Sequence, residues 1–172
     1  MTSSLSISAN PRMPAPTNEP ARDFVPGSAE SLSVSAAIAG LRSARRELPH
    51  VVDGQRIMTA QTQDVVEPHD HASVVGTMAV AAEAVTRQAI DSCLAAQHDW
   101  SRTPWWERAA VMLRAGDLAS GKYRDELVAA TMQGATKTLH QAQTGAACER
   151  PGVNRFNAHP PPQIHADPPA AL

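Results

Sequence analysis

Eleven of the fourteen prolines in this 172-residue chain fall within its first 27 or its last 23 residues. Proline fixes φ, removes a backbone donor and biases the residue before it away from helix. Residues 1–27 therefore read as a Pro-rich arm, disordered from Met1 to Asn10 and extended from Pro11 to Pro26. Phe24 supplies that arm with an apolar anchor suited to lie along another surface. Residues 150–172 read as an unstructured tail, because Arg150-Pro151-Gly152 is a helix stop and five further prolines follow it. The foldable part is confined to residues 28–149.

Helical spacing dominates that part. Ser28 is placed to cap a helix running to about Arg46, with Glu30 in its first turn and Arg42, Arg45 and Arg46 near its negative pole. Val34, Ile38 and Leu41 form one apolar row of this helix, and Leu32, Ala36 and Ala39 another. A second helix is expected from about Ala81 to Gln97, with Val85, Ala89 and Cys93 stacked beside Ile90 and Leu94. The third starts at Thr103 as N-cap with Pro104 in the first helical position, and ends near Ser120-Gly121. Its stripe of Val111, Ala115 and Leu118 is expected to take most of the chain's apolar burial. Helical pattern returns from Arg124 to Met132, is interrupted at Gly134, and resumes from Thr138 to Glu149.

Strand signals are short. Asp53-Gly54 between His50-Val51-Val52 and Gln55-Arg56-Ile57 predicts a hairpin, since both turn positions tolerate positive φ. A second pair is expected from Asp64–Glu67 and Ser73–Val80, joined by a turn at Pro68-His69-Asp70-His71. The fold class is thus α+β and mostly helical, with a short hairpin.

Composition narrows the function. Apolar residues make up 42% of the chain but aromatics only 3%, so the core must be thin and rich in alanine. A net charge of -2 without a basic block argues against nucleic acid. No apolar run approaches the roughly 18 residues of a membrane span. The N-terminus lacks a positive region followed by an apolar stretch, which points to a cytoplasmic protein. Cys93 and Cys148 read as buried, reduced thiols.

Few residues carry a chemical signal. His69 and His71 flank Asp70, but no further His or Cys follows nearby at ligand spacing, so a polar turn is favoured over a metal site. Cys148 beside Glu149 lacks the cationic surroundings that make a thiolate. Trp105-Trp106 at a helix start reads as a half-buried wedge rather than a recognition surface. No Gly-rich dinucleotide or phosphate-binding motif occurs.

Several phrases in order nevertheless match a known family. They include Glu47-Leu48-Pro49-His50-Val51-Val52-Asp53-Gly54, Pro68-His69-Asp70-His71 with Val75-Gly76-Thr77, and Arg108-Ala109-Ala110-Val111. The most specific run is Ala129-Ala130-Thr131-Met132, then Gly134, Lys137-Thr138, Gln141-Ala142 and Ala146-Ala147-Cys148-Glu149, followed by Arg155-Phe156-Asn157. These resemble the N-terminal portion of the L-glutamate-γ-semialdehyde (Δ1-pyrroline-5-carboxylate) dehydrogenases, a branch of the aldehyde dehydrogenase superfamily.

The resemblance implies NAD-dependent oxidation of glutamate semialdehyde to glutamate in proline breakdown, by a cysteine nucleophile and a glutamate base. It also implies that both groups, and the fold that holds NAD, lie beyond this sequence. Cys93 and Cys148 do not correspond to the nucleophile. The chain is therefore expected to be a truncated relative, inactive and unable to bind NAD alone. Glu149 is the one position carried over, matching a glutamate beside the substrate's amino group; a carboxylate there would pair with an ammonium. The implied partners are a second copy of the chain or a complementary dehydrogenase chain.

Overall fold

A computed structural model describes residues 15–159. Helix α1 (Ala29–Arg42) is followed by strands β1 (Arg46–Leu48), β2 (His50–Val52), β3 (Gln55–Ile57), β4 (Thr62–Glu67) and β5 (Asp70–Ala79). Then come α2 (Glu83–Arg102), α3 (Trp105–Ser120), α4 (Arg124–Ala135), α5 (Leu139–Gln143), a π-helical turn (Thr144–Glu149) and α6 (Arg150–Ala158). The mostly helical α+β class is the one expected.

Ser28 caps α1, its hydroxyl accepting the Ser31 N–H at 3.2 Å. Glu30 in the first turn has its carboxyl held below the usual range by a bond to its own backbone N–H and by Ser28. The helix stops at Arg42 rather than running to Arg46, because Arg46–Leu48 instead pair with Gly76–Met78 as a parallel strand. β5 pairs with β4 on its other side, giving the order β1-β5-β4. β2 and β3 form the expected separate hairpin, with Asp53 and Gly54 both at positive φ. Gly76 is required where β1 approaches: a Cβ there would lie 2.8 Å from the Arg46 carbonyl oxygen.

The main core lies between α1, α4 and the α5–π segment. Val34, Val128, Ala142 and Ala147 are buried together, with Phe24, Ile38, Met132 and Leu139 packed around them. Alanine on the facing helices lets their backbones come close at the cost of little buried area per residue. Phe24 does act as an anchor, but on this chain's own core. A second cluster joins α3 to α6 through Trp105, Ala109 and Ala158, with Leu113 against it. Gly116 permits this approach, since a Cβ there would meet the Pro151 carbonyl at 3.4 Å and Asn154 Cβ at 3.6 Å.

The expected tail beginning at residue 150 is corrected. Arg150–Ala158 form a helix, and only its last turn approaches the end of the described residues. The π turn immediately before it explains how Pro151 is accommodated. A proline in regular helix lacks its N–H and its ring meets the carbonyl four residues back. The widened register, in which the Arg150 N–H bonds the Gly145 carbonyl, puts Pro151 in the first turn of a new α segment, where a missing donor costs little. Pro160–Pro162 and the residues after them lie outside the described residues, as does the stretch Met1–Asn10.

Four other expectations are corrected. Thr103 does not cap α3; its hydroxyl donates to the Asp99 carbonyl at 2.9 Å and closes α2. The buried face of α3 is Trp105, Ala109, Gly116, Ala119 and Ser120, while Val111 is 54% exposed. Cys93 is exposed and Cys148 partly exposed, both as free thiols. Gly134 lies within α4, which ends at Ala135 with Thr136 in the left-handed region. Helix α2 buries none of its twenty residues and leaves Ile90, Leu94 and Trp100 about half exposed or more.

The arm is tied down by polar groups. Arg124, only 2% exposed, donates to Glu19 Oε1 at 3.1 Å, to the Pro20 carbonyl at 3.0 Å and to Gln143 Oε1 at 3.3 Å. Arg155 on α6 takes the other Glu19 oxygen at 2.9 Å. One carboxylate of the arm thus joins α4 to α6.

Candidate functional site

Glu149 ends the π turn and is exposed. The geometry around it begins at the end of α4. Thr136 has φ 51, a conformation that turns the chain sharply back. Thr138 then caps α5 by a capping box: its hydroxyl accepts the Gln141 N–H, and the Gln141 side chain accepts the Thr138 N–H at 3.1 Å. This tight reversal lays Lys137 over the following helix. Lys137 Nζ lies 3.7 Å, and Glu149 Oε2 4.0 Å, from the point where a Cβ on Gly145 would stand.

These residues, with Thr136, His140 and Thr144, line an open polar pocket of about 530 Å³. Neither the Lys137 nor the Glu149 side chain forms an ion pair or hydrogen bond among the described residues. A carboxylate and an ammonium thus face one shallow space without neutralising each other directly.

The reversal carrying Lys137 is braced from behind. Glu67, at the end of β4, is 1% exposed and accepts from Arg42 Nε at 3.1 Å and Nη2 at 3.0 Å. His69 Nε2 lies 3.1 Å from the same carboxylate, and its Nδ1 is 3.2 Å from the Thr136 hydroxyl. Hydrogen bonding from Arg42, opposed by desolvation, holds the Glu67 carboxyl below the usual carboxylate range. His69 thus serves to connect the β4–β5 turn to the end of α4. Among the described residues, no group of three or more His, Cys, Asp or Glu is placed to hold a metal ion.

The remaining candidates are separate from this pocket. Cys148 Sγ donates to the Pro20 carbonyl at 3.9 Å and has no basic partner among the described residues. Trp105 is buried and meets the exposed Trp106 edge to face, with ring centroids 5.8 Å apart. A largely apolar cavity of about 510 Å³ lies between Leu41, Leu48, Val65, Tyr123 and Leu127, with the Arg46–Glu126 ion pair (2.8 Å) beside it. Its lining offers no acid–base pair left free for chemistry.

Sequence reading located Glu149 but gave no role to Lys137 or Glu67. Lys137 stood only within a matching phrase, and Glu67 only at the end of a strand. The signal that could have found Lys137 is the Thr138-Leu139-His140-Gln141 capping box, which fixes where the chain reverses.

The fold and this pocket together belong to a class defined by comparison. The aldehyde dehydrogenase family profile matches residues 57–165, well over half of the chain, and the chain belongs to that family. Delta-1-pyrroline-5-carboxylate dehydrogenase of Agaricus bisporus is 37% identical over 159 residues, covering 92% of this chain and 29% of the relative. The mitochondrial enzyme of that name from Mus musculus is 38% identical over 142 residues, covering 83% and 25%.

Among solved structures, Delta-pyrroline-5-carboxylate dehydrogenase from Mycobacterium tuberculosis superposes with a TM-score of 0.91 at 38% identity, over 96% of this chain and 31% of that one. It has also been solved bound with NAD. The 1-pyrroline-5-carboxylate dehydrogenase of Thermus thermophilus shares the fold, with a TM-score of 0.81 at 23% identity. This chain spans less than a third of the length of these relatives.

The described residues do not form the glycine-rich dinucleotide motif, in which a parallel strand leads through a tight turn into a helix. The one parallel pairing among the described residues is three residues long, and β5 enters α2 through Val80-Ala81-Ala82. No helix among the described residues is long and apolar enough to cross a membrane.

Proposed function

We propose that this chain supplies the N-terminal part of an NAD-dependent dehydrogenase that oxidises L-glutamate γ-semialdehyde, the open form of 1-pyrroline-5-carboxylate, to L-glutamate. On this reading the nucleophile, base and dinucleotide cleft of the reaction belong to the length of the relatives that this chain does not span. The protein works in the cytoplasm, docked on a complementary dehydrogenase chain or on a second copy.

The observation that carries this reading is Glu149. Its carboxylate lines an open pocket and has no ion-pair partner among the described residues, at the position where the family resemblance puts a contact with the substrate's amino group. A charge-assisted bond from an ammonium is the interaction such a group is suited to make. The docking component is supported by α2, whose Ile90, Leu94 and Trp100 are 53%, 62% and 45% exposed on one long helix. Ile90 and Leu94 stand one turn apart on that helix, and an apolar face of this kind is suited to an interaction.

The test combines the purified chain with a polypeptide supplying the remaining length of the Mycobacterium tuberculosis relative. NADH formation from the semialdehyde is expected only in the mixture, with kcat/KM reduced by Glu149→Gln. NADH production by the chain alone would overturn the reading, as would failure of the two polypeptides to co-elute on size exclusion.

A further inference from the structure

We propose that the apolar cavity between the β1-β5-β4 sheet and helix α4 is a binding site for a small, uncharged organic molecule. The site lies apart from the pocket over Gly145 and stands independently of the dehydrogenase reading.

This chain builds both sides of the cavity. Leu48, Val65 and Val75, from the three strands of one sheet, form one wall, and Leu127, Ala130 and Gly134 of α4 form the other. The three helix residues follow one another at spacings of three and four, so they share a face. A volume of about 510 Å³ falls within the roughly 300–1,000 Å³ usual for organic ligands.

Two features keep the layers from closing on each other. The helix wall is small where a larger residue would fill it: a Cβ added at Gly134 would meet nothing within 4 Å. The layers are also pinned at separate points. Arg46 on β1 donates to Glu126 Oε1 on α4 at 2.8 Å. Farther along the same helix, the buried Gln133 donates from Nε2 to the Ile38 carbonyl of α1 at 3.4 Å.

The lining sets the class of ligand. Apolar walls that face each other across open volume lack dispersion partners, and an apolar molecule between them restores those contacts. A charge carried into this space would lose its hydration without gaining a partner. The two charged residues of the lining, Arg46 and Glu126, already pair with each other. The ligand is therefore apolar and neutral.

The probe is N-phenyl-1-naphthylamine, an uncharged dye whose emission rises in apolar surroundings. It is titrated into the full chain and followed by fluorescence and by methyl NMR shifts. Saturable binding is expected, with shifts at Val65, Val75 and Leu127 rather than at Ile90 and Leu94 on α2. Gly134→Leu fills the volume from the helix side with a better helix former, and is expected to weaken binding roughly tenfold. Ala130→Leu enters the same wall one turn earlier and is expected to act alike; circular dichroism shows which variants keep the fold. 1-Octanol is expected to displace the dye at lower concentration than octanoate, its charged counterpart.

Shifts confined to Ile90 and Leu94 would place the dye on the exposed helix face and overturn the site. Absence of saturable binding would do the same, as would unchanged affinity in a folded Gly134→Leu or Ala130→Leu variant. Displacement by octanoate ahead of 1-octanol would overturn the assignment of a neutral ligand.

Discussion

Gln143 grips the backbone of Arg22 with both ends of its amide, 121 residues away in sequence. Its Oε1 accepts the Arg22 N–H at 2.7 Å, and its Nε2 donates to the Arg22 carbonyl at 2.9 Å. The side chain is fully buried, and Oε1 also accepts from Arg124 at 3.3 Å. One amide therefore stands in for a strand partner to an arm that has none.

Replacing Gln143 by leucine keeps much of the volume and removes all three bonds. Buried polar groups left without partners cost about 1–3 kcal/mol each, and lifting the arm into water would recover part of that. The expected loss is about 2 kcal/mol in urea denaturation. Trypsin cleavage after Arg22 should accelerate in the same variant; an unchanged cleavage rate would show that the arm is held elsewhere.

Acid should weaken the brace behind Lys137. The Glu67 carboxyl is held below its ordinary value of 4.5 by hydrogen bonding from Arg42. A lowered folded-state value means that the stabilisation is fully present above the unfolded value and is lost as pH falls through the folded one. Stability measured from pH 6 downward should thus decline below about 4.5, and Glu67→Gln should flatten that part of the curve. Equal slopes in both proteins would remove Glu67 from the account.

Gly76→Val tests the parallel contact. Even the first added carbon would lie 2.8 Å from the Arg46 carbonyl and 3.3 Å from Leu48 Cδ1. Backbone cannot rotate away as a side-chain tip can, so β1 must move. Overpacking of this kind costs about 1–3 kcal/mol. Amide exchange at Arg46–Leu48 should quicken more than at β2 and β3, which do not touch that strand in register.

What was legible in the sequence was what local chemistry decides. The Asp53-Gly54 turn, the Ser28 cap and the helical spans of α4 and α5 need only neighbouring residues. The strand Arg46–Leu48 was not legible, because all three residues are exposed and its pairing partner lies thirty positions later. The inward face of α3 was misread because its contact with α6 is made by alanine and glycine, whereas the bulkier Val111 and Met112 point to solvent. Helix α6 was missed because Pro151 stops a regular helix, and nothing local announces the π turn that admits it. At the candidate site, Glu149 was found by resemblance. Its opposite number Lys137 emerged only once the reversal at Thr136 brought two distant segments over Gly145.

The wide turn before Pro151 also sets the phase of everything after it. Each residue in a helix advances the direction of its side chain by about 100°. Removing a single residue between Thr144 and Glu149 would restore an ordinary winding and swing α6 round by that angle. Arg155 would leave Glu19 and Ser120, the flat side of Gly116 would meet a different surface, and the arm would lose its far anchor. The register of this segment works like the indexing of a key: one notch too few, and the shaft still enters but no longer turns the lock.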